Sequence, residues 1–259
     1  MLIHFVDAVG KQALNYCTAL GKFGIFIWQT FKILFSRKLK VAKLLQQMER
    51  VGINSLLISS VTGFFAGAVL ALQSYKGFRV FGGEDLIGPV VALTMTRELG
   101  PVLTGLMVAG RSGSSIAAEL GTMRITEQVD ALRTLCINPY QYLVIPRILA
   151  GTFILPLLAL FAMVCGIFGG YLVCVNILGL NSEEYLTGIK DFVEIKDLLG
   201  GMIKASTFGF ILTSIGSYKG FYTHGGARGV GLATTQTVVI SSIFIIISNY
   251  FLAMIIFGP

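Results

Sequence analysis

Arg97 and Glu98 sit side by side in an otherwise apolar stretch, and they are the most expensive residues in the chain to bury. An arginine at the centre of a bilayer costs about 2.5–3.5 kcal/mol on insertion scales, so such a charge lines a polar cavity or finds a partner. Arg97 offers a planar fork that fits a phosphate, and Glu98 could orient that site. The competing expectation is a structural ion pair with another span. Residues at i and i+1 on a helix diverge by about 100°, so the two charges do not neutralise one another across one face.

Other chemistry is sparse. No GxxxxGK[ST] phosphate loop, GxSxG elbow or HExxH pair occurs, and the histidines are only His4 and His224. His224 lies in YTHGGARG and is expected to be solvated. Cys17, Cys136, Cys165 and Cys174 form no CxxC pair and read as small buried hydrophobes. An intramembrane lipid-modifying enzyme would need a histidine or second carboxylate beside Glu98, and none is apparent. An ion-coupled secondary transporter using Glu98 is a second alternative, weakened by the odd span count and the lack of an internal repeat. No metal or cofactor site is expected in this chain.

The elements that must hold these residues are membrane helices. The chain is 54% hydrophobic and 13% charged, with mean hydropathy +0.79. Soluble domains carry about 25% charged residues, so an all-α integral membrane protein is expected. The net charge of +7 is spread through short loops, which argues against nucleic-acid binding. Spans are expected at Val51–Tyr75, within Leu86–Leu120, within Ile148–Ser182 with a re-entrant or interfacial extension, at Leu198–Tyr218 with Lys204 near its start, and at Gly229–Pro259. Placing the second span at Leu86–Leu106 puts Arg97 and Glu98 at mid-depth. Placing it at Leu99–Glu119 puts them at an interface, and a long tilted helix bridges the two.

Ahead of these five spans, Tyr16–Phe35 is apolar and aromatic but interrupted by Lys22 and Lys32, which suits an amphipathic helix lying in the interface. The basic run Arg37, Lys38, Lys40 and Lys43 follows it, and targeting is expected to rest on the spans rather than on a leader. Lysine and arginine counts are eight in residues 1–50 and four from Arg111 to Arg147, against two and three in the opposite loops. The positive-inside rule then predicts a cytoplasmic N-terminus and a periplasmic C-terminus.

Between spans two and three, Ile125–Leu135 carries apolar Ile125, Val129 and Leu132 at helical spacing, with Glu127, Asp130 and Arg133 on other faces. Thr126 is the expected N-cap, and Asn138-Pro139 the stop. A polar helix held between two spans is expected to dock on a soluble partner. Leaving span one, Leu70 to Phe81 alternates aromatic and polar residues, and Tyr75, Phe78 and Phe81 could wall an acyl-chain cavity or form an ordinary aromatic belt. Gly63-x-x-x-Gly67, and Gly110 with Gly113, mark expected close helix packing.

The stretch RELGPVLTGLMVAGRSGSSIAAELGTMRITEQVDALRTL resembles the signature of the MlaE/YrbE family, permease subunits of bacterial ABC systems that move phospholipid in concert with MCE proteins. The resemblance implies an interfacial elbow helix and basic segment over 1–50 and a permease domain over 51–259. It implies a homodimer in the inner membrane, a cytosolic ABC ATPase holding ATP and Mg, a periplasmic MCE-domain protein, and no covalent chemistry by this chain. Carried onto these positions, Leu70, Tyr75, Phe78, Phe81, Arg97 and Glu98 would bind lipid. Glu119, Met123, Arg124, Thr126, Glu127, Gln128 and Asp130 would couple to the ATPase.

Overall fold

In the computed structural model the backbone is described for residues 2–36 and 41–258, and side chains for 14, 17–36, 41–80 and 82–258. The Arg37, Lys38 and Lys40 cluster lies outside the described residues, as does the Phe81 side chain. Among the described residues, eight helices of seven residues or more follow one another: α1 (Leu2–Ser36), α2 (Val41–Phe78), α3 (Glu84–Ile125), α4 (Gln128–Thr134), α5 (Tyr140–Ile177), α6 (Ser182–Phe192), α7 (Ile195–Phe221) and α8 (Gly226–Phe257). Among the described residues, α2, α3, α5, α7 and α8 are long and apolar enough to cross a membrane. The expected five spans are therefore present, in an all-α integral membrane protein.

The spans run longer than their charge-free cores because polar residues at each end reach past the hydrocarbon. α2 starts ten residues before Val51, so the expected boundary at residue 50 falls inside a continuous helix. α3 is the long helix that bridges both placements of span two, with wide π-helical turns at Met95–Leu99 and Ala109–Gly113. The extension after span three is a separate helix, α6, capped by the Asn181 side chain accepting from the Glu183 amide. Its Tyr185 is buried, and the phenol donates to the Ile167 carbonyl at 3.3 Å. Burial raises the Tyr185 pKa, which keeps it a neutral donor.

Lipid supplies no hydrophobic drive between helices, so close approach of small residues matters more here than in water. A Cβ on Gly63 or Gly67 would fall inside the carbonyl groups of Ala162 and Gly166, so α2 and α5 touch backbone to backbone. Gly151 and Gly209 bring α5 and α7 together in the same way. Gly110 does not follow this expectation. It faces open space, whereas Gly113 is buried and its carbonyl lies 2.9 Å from where a Cβ on Gly216 would stand, so α3 approaches α7 closely there.

α1 is longer than Tyr16–Phe35 and lies against the bundle through fully buried Phe26, which packs with Tyr140, Tyr218, Phe221 and Tyr222. Trp28 and Phe35 remain exposed, as an interfacial helix requires. Of the cysteines, Cys174 is buried, but Cys17 and Cys136 are exposed, contrary to the expected burial. Both sit on elements outside the spans, where small apolar residues have no seam to fill.

Candidate functional site

Arg97 and Glu98 lie on the π-helical turn of α3, and a partner from another span meets each of them. Arg97 Nε donates to Asp197 Oδ1 at 2.8 Å, and Asp197 Oδ2 accepts from the Glu194 amide as part of the capping box that starts α7. Lys204 Nζ donates to Glu98 Oε1 at 2.6 Å and to the Arg97 carbonyl at 3.0 Å. Asn249 of α8 donates to Glu98 Oε2 at 2.9 Å. The Phe257 ring lies 5.2 Å from the Arg97 guanidinium and 5.1 Å from Lys204 Nζ. Two cations face two carboxylates, and the knot is electrically neutral.

The competing expectations for Arg97 therefore resolve in one direction for its Nε, which is committed to an ion pair between spans. The side chain nevertheless stays 40% exposed, and Glu98 37%, while Lys204 has no exposed surface. The second carboxylate of the knot is Asp197 at the start of α7, which meets Arg97. Asp197 and Lys204 are seven residues apart on one face of α7, and an apolar helix carrying that pair was the signal available. Asn249 carried no comparable signal.

Of the six residues assigned to lipid by resemblance, three lie on α2 in an apolar cluster and two lie on the π turn of α3. Leu70, Tyr75 and Phe78 of α2 pack into a cluster with buried Ala71, Ile87, Val91 and Met95, and Leu99 joins it. Met95 and Leu99 thus face this apolar cluster, whereas Arg97 and Glu98 of the same turn face α7 and α8. The Arg79 guanidinium lies 5.6 Å over the Tyr75 ring. The sixth, Phe81, has its side chain outside the described residues.

The segment between spans two and three differs from the expected Ile125–Leu135 helix. Thr126 is not an N-cap: it ends α3, with its hydroxyl donating to the Thr122 carbonyl at 2.9 Å. The chain then turns through Glu127, a non-glycine residue at φ +58°, and α4 begins at Gln128. It stops at Thr134, and Cys136 at φ +57° turns the chain ahead of Asn138-Pro139. Asp130 holds this knuckle together, accepting from Arg124 Nη1 at 2.8 Å to each oxygen and from Arg133 at 3.0 Å. Val129 and Leu132 turn inward onto Phe26, Ile116 and Leu143. Val129 is thus covered by this chain itself, while Leu132 stays half-buried and Leu135 exposed.

What the knuckle presents outward is Thr126, Glu127 and Gln128, all exposed. Met123 and Arg124 are half-buried beneath it. Glu119 is placed elsewhere, one turn deeper, where it accepts from Arg50 of α2 and from Arg147 of α5, the latter at 2.7 Å. Arg147 is 3% exposed and also donates to the Leu143 carbonyl. It had read only as a loop charge bounding span three.

A five-span helical bundle with a charged knot inside one long span, and an exposed polar knuckle at that span's end, defines a polytopic membrane transport subunit. The chain belongs to the MlaE permease family: the model described as "Permease MlaE" matches residues 44–255. It is 48% identical over 257 residues, 99% of each chain, to a probable ABC transporter permease protein of Rickettsia bellii. It is 36% identical over 259 residues to the intermembrane phospholipid transport system permease protein MlaE of Haemophilus influenzae, covering 100% of this chain and 99% of that one. A chloroplastic protein of Arabidopsis thaliana, TRIGALACTOSYLDIACYLGLYCEROL 1, is 38% identical over 213 residues, 82% of this chain and 61% of its own. The chain is a permease of the ABC-transporter class and a multi-pass membrane protein, not an enzyme.

Proposed function

We propose that this chain is the membrane-spanning subunit of an ATP-driven phospholipid transporter in the bacterial inner membrane. It works as a homodimer, with a cytosolic ABC ATPase seated on the Thr126–Gln128 knuckle and an MCE-domain protein at the opposite face. ATP and Mg belong to the ATPase, and this chain holds no cofactor. The N-terminus is cytoplasmic and the C-terminus periplasmic, in line with the lysine and arginine distribution.

The observation that carries this reading is the continuity of α3. One 42-residue helical path has the Arg97–Glu98 turn in its first half and the knuckle at its end. The 28 residues from Glu98 to Thr126 span roughly 42 Å at the helical rise. Motion imposed on the knuckle by ATPase closure is thereby delivered to the turn that carries Arg97 and Glu98, and to the apolar cluster that Met95 and Leu99 of that turn share with Leu70, Tyr75 and Phe78. The exposed part of Arg97 offers donors to a phosphodiester, and the α2 cluster offers an apolar wall to acyl chains. Lipid leaves when closure of the dimer lowers the affinity of that space, since only a difference in affinity between two states can drive release.

A homodimer is supported by α8. Only 11% of its most apolar window is buried within one chain, against 56% for α7, and it exposes polar Thr235 and Gln236 along a spanning helix. A second copy would cover them.

The test is transfer by the reconstituted complex. Glu127→Lys is expected to abolish ATP-driven transfer while leaving the protein in the membrane, and Arg97→Ala to lower co-purifying phospholipid. Normal ATP-driven transfer by Glu127→Lys would remove the coupling role of the knuckle.

A further inference from the structure

A cleft of about 410 Å³ opens where α2, α3, α4 and the start of α5 converge, on the side of the bundle that carries the knuckle. Its floor is apolar, formed by Met123, Leu132 and Leu143, with exposed Leu135 on the wall facing α2. Lys43, Gln47 and Arg50 line the wall from α2 at spacings of four and three, so one helix face presents all three. Arg147 closes the far end. Against these three cations stands a single carboxylate, Glu119, already shared by Arg50 and Arg147.

Lys43 carries the excess. Its Nζ lies 3.3 Å from the centroid of the Tyr142 ring, which leaves an ammonium group partly desolvated at the mouth of the cleft. A second cleft of about 370 Å³ adjoins the first across the Arg50–Glu119 bridge and adds Arg111. The combination is a positive rim over an apolar floor at the end of membrane spans. That pattern matches an amphiphile with an anionic head. A soluble anion would leave the floor unused, and a neutral lipid would leave the rim unmatched.

We propose that this cleft binds an anionic phospholipid, its phosphodiester against Lys43 and Arg50 and its acyl chains along Met123, Leu132 and Leu143. The site is separate from the Arg97–Glu98 turn: Glu98 and Glu119 are 21 residues apart on α3, roughly 32 Å of helix. Because α4 forms one wall, an occupant braces the knuckle from beneath. The binding does not depend on the transport reading, since it is read without ATP.

The experiment uses the membrane complex in nanodiscs of phosphatidylcholine with rising fractions of phosphatidylglycerol. Native mass spectrometry counts the phosphatidylglycerol retained per chain. Lys43→Glu is expected to raise the half-saturating fraction roughly tenfold, the scale of reversing one charge near an anionic headgroup. Lys43→Arg and Lys190→Glu, the latter on distant α6, are expected to match the unsubstituted chain. Leu135→Glu, on the opposite wall, repels the same headgroup without touching Lys43 and is expected to weaken retention in the same direction. Unchanged retention in both Lys43→Glu and Leu135→Glu overturns the proposal. Displacement of the bound lipid by inorganic phosphate would identify a free anion as the ligand and overturns it too. Loss of a protein subunit from the Lys43→Glu complex, with lipid retention intact, would make the cleft a protein seat instead.

Discussion

The two charged knots on α3 are built on opposite plans. Around Arg97 and Glu98, two cations and two carboxylates close on themselves, with Asn249 satisfying the spare Glu98 oxygen and Phe257 covering both cations. Around Glu119, two guanidinium groups share one carboxylate, one excess positive charge remains, and Arg147 Nε is buried without a partner. The first knot is neutral, although the Asn249 Oδ1 within it is buried without a partner, and a neutral knot is tolerated within a span because each charge has an opposite charge beside it. An unbalanced one belongs at a span end, where anionic headgroups and water can offset the excess. The difference assigns the knots different work. The first ties α3 to α7 and α8, and the second fixes α2, α3 and α5 beneath the knuckle.

Substitutions can break this contrast. The largest effect is expected from Glu119→Ala, which leaves Arg147, with a side chain only 4% exposed, as an uncompensated buried charge. Stability in detergent should fall by about 3 kcal/mol, as for other buried pairs that lose one partner. Lys204→Met should cost less, about 2 kcal/mol, because the Glu98 it abandons is partly exposed and keeps its Asn249 bond. Adding Glu98→Gln should recover most of that loss, since the neutral pair restores the balance. A thermal midpoint for Glu119→Ala no lower than that for Lys204→Met would dissolve the distinction between the knots. The smallest effect is expected from Arg133→Ala, whose bridge to Asp130 is half-exposed on both sides and contributes about 0.5 kcal/mol at most. A larger shift there would mean that the knuckle depends on Arg133 as well as on Arg124.

Much of this was legible in the residues, though unevenly. Long apolar runs, some carrying an isolated charge, announce the five spans, and Gly63 and Gly67 announce a backbone contact that α2 makes with α5. The aromatic α1 segment reads as interfacial and packs so. Boundaries were less legible. Thr126 has the chemistry of an N-cap, yet its hydroxyl turns back to the Thr122 carbonyl because α3 continues one turn further than the apolar pattern implies. The inward face of α4 was legible only in part: Val129 and Leu132 signal burial, but periodicity does not say whether the chain itself or a partner supplies the cover. Asp197, Arg147 and Lys204 each read as ordinary loop or end charges when taken one at a time. Their meaning lies in which charge from another span arrives opposite.

The sequence by itself determined that this chain is a helical membrane protein, how many spans it has, and that Arg97 and Glu98 demand partners. Hydropathy and charge act locally along the chain, and bilayer thickness converts them directly into spans. Only the tertiary structure decided which partners those charges receive, that Glu119 is a brace rather than part of the exposed knuckle, and that one helix joins the charged turn to that knuckle. Those outcomes depend on the rotation and register of packed helices. Small residues and π turns set both by amounts that no single segment encodes.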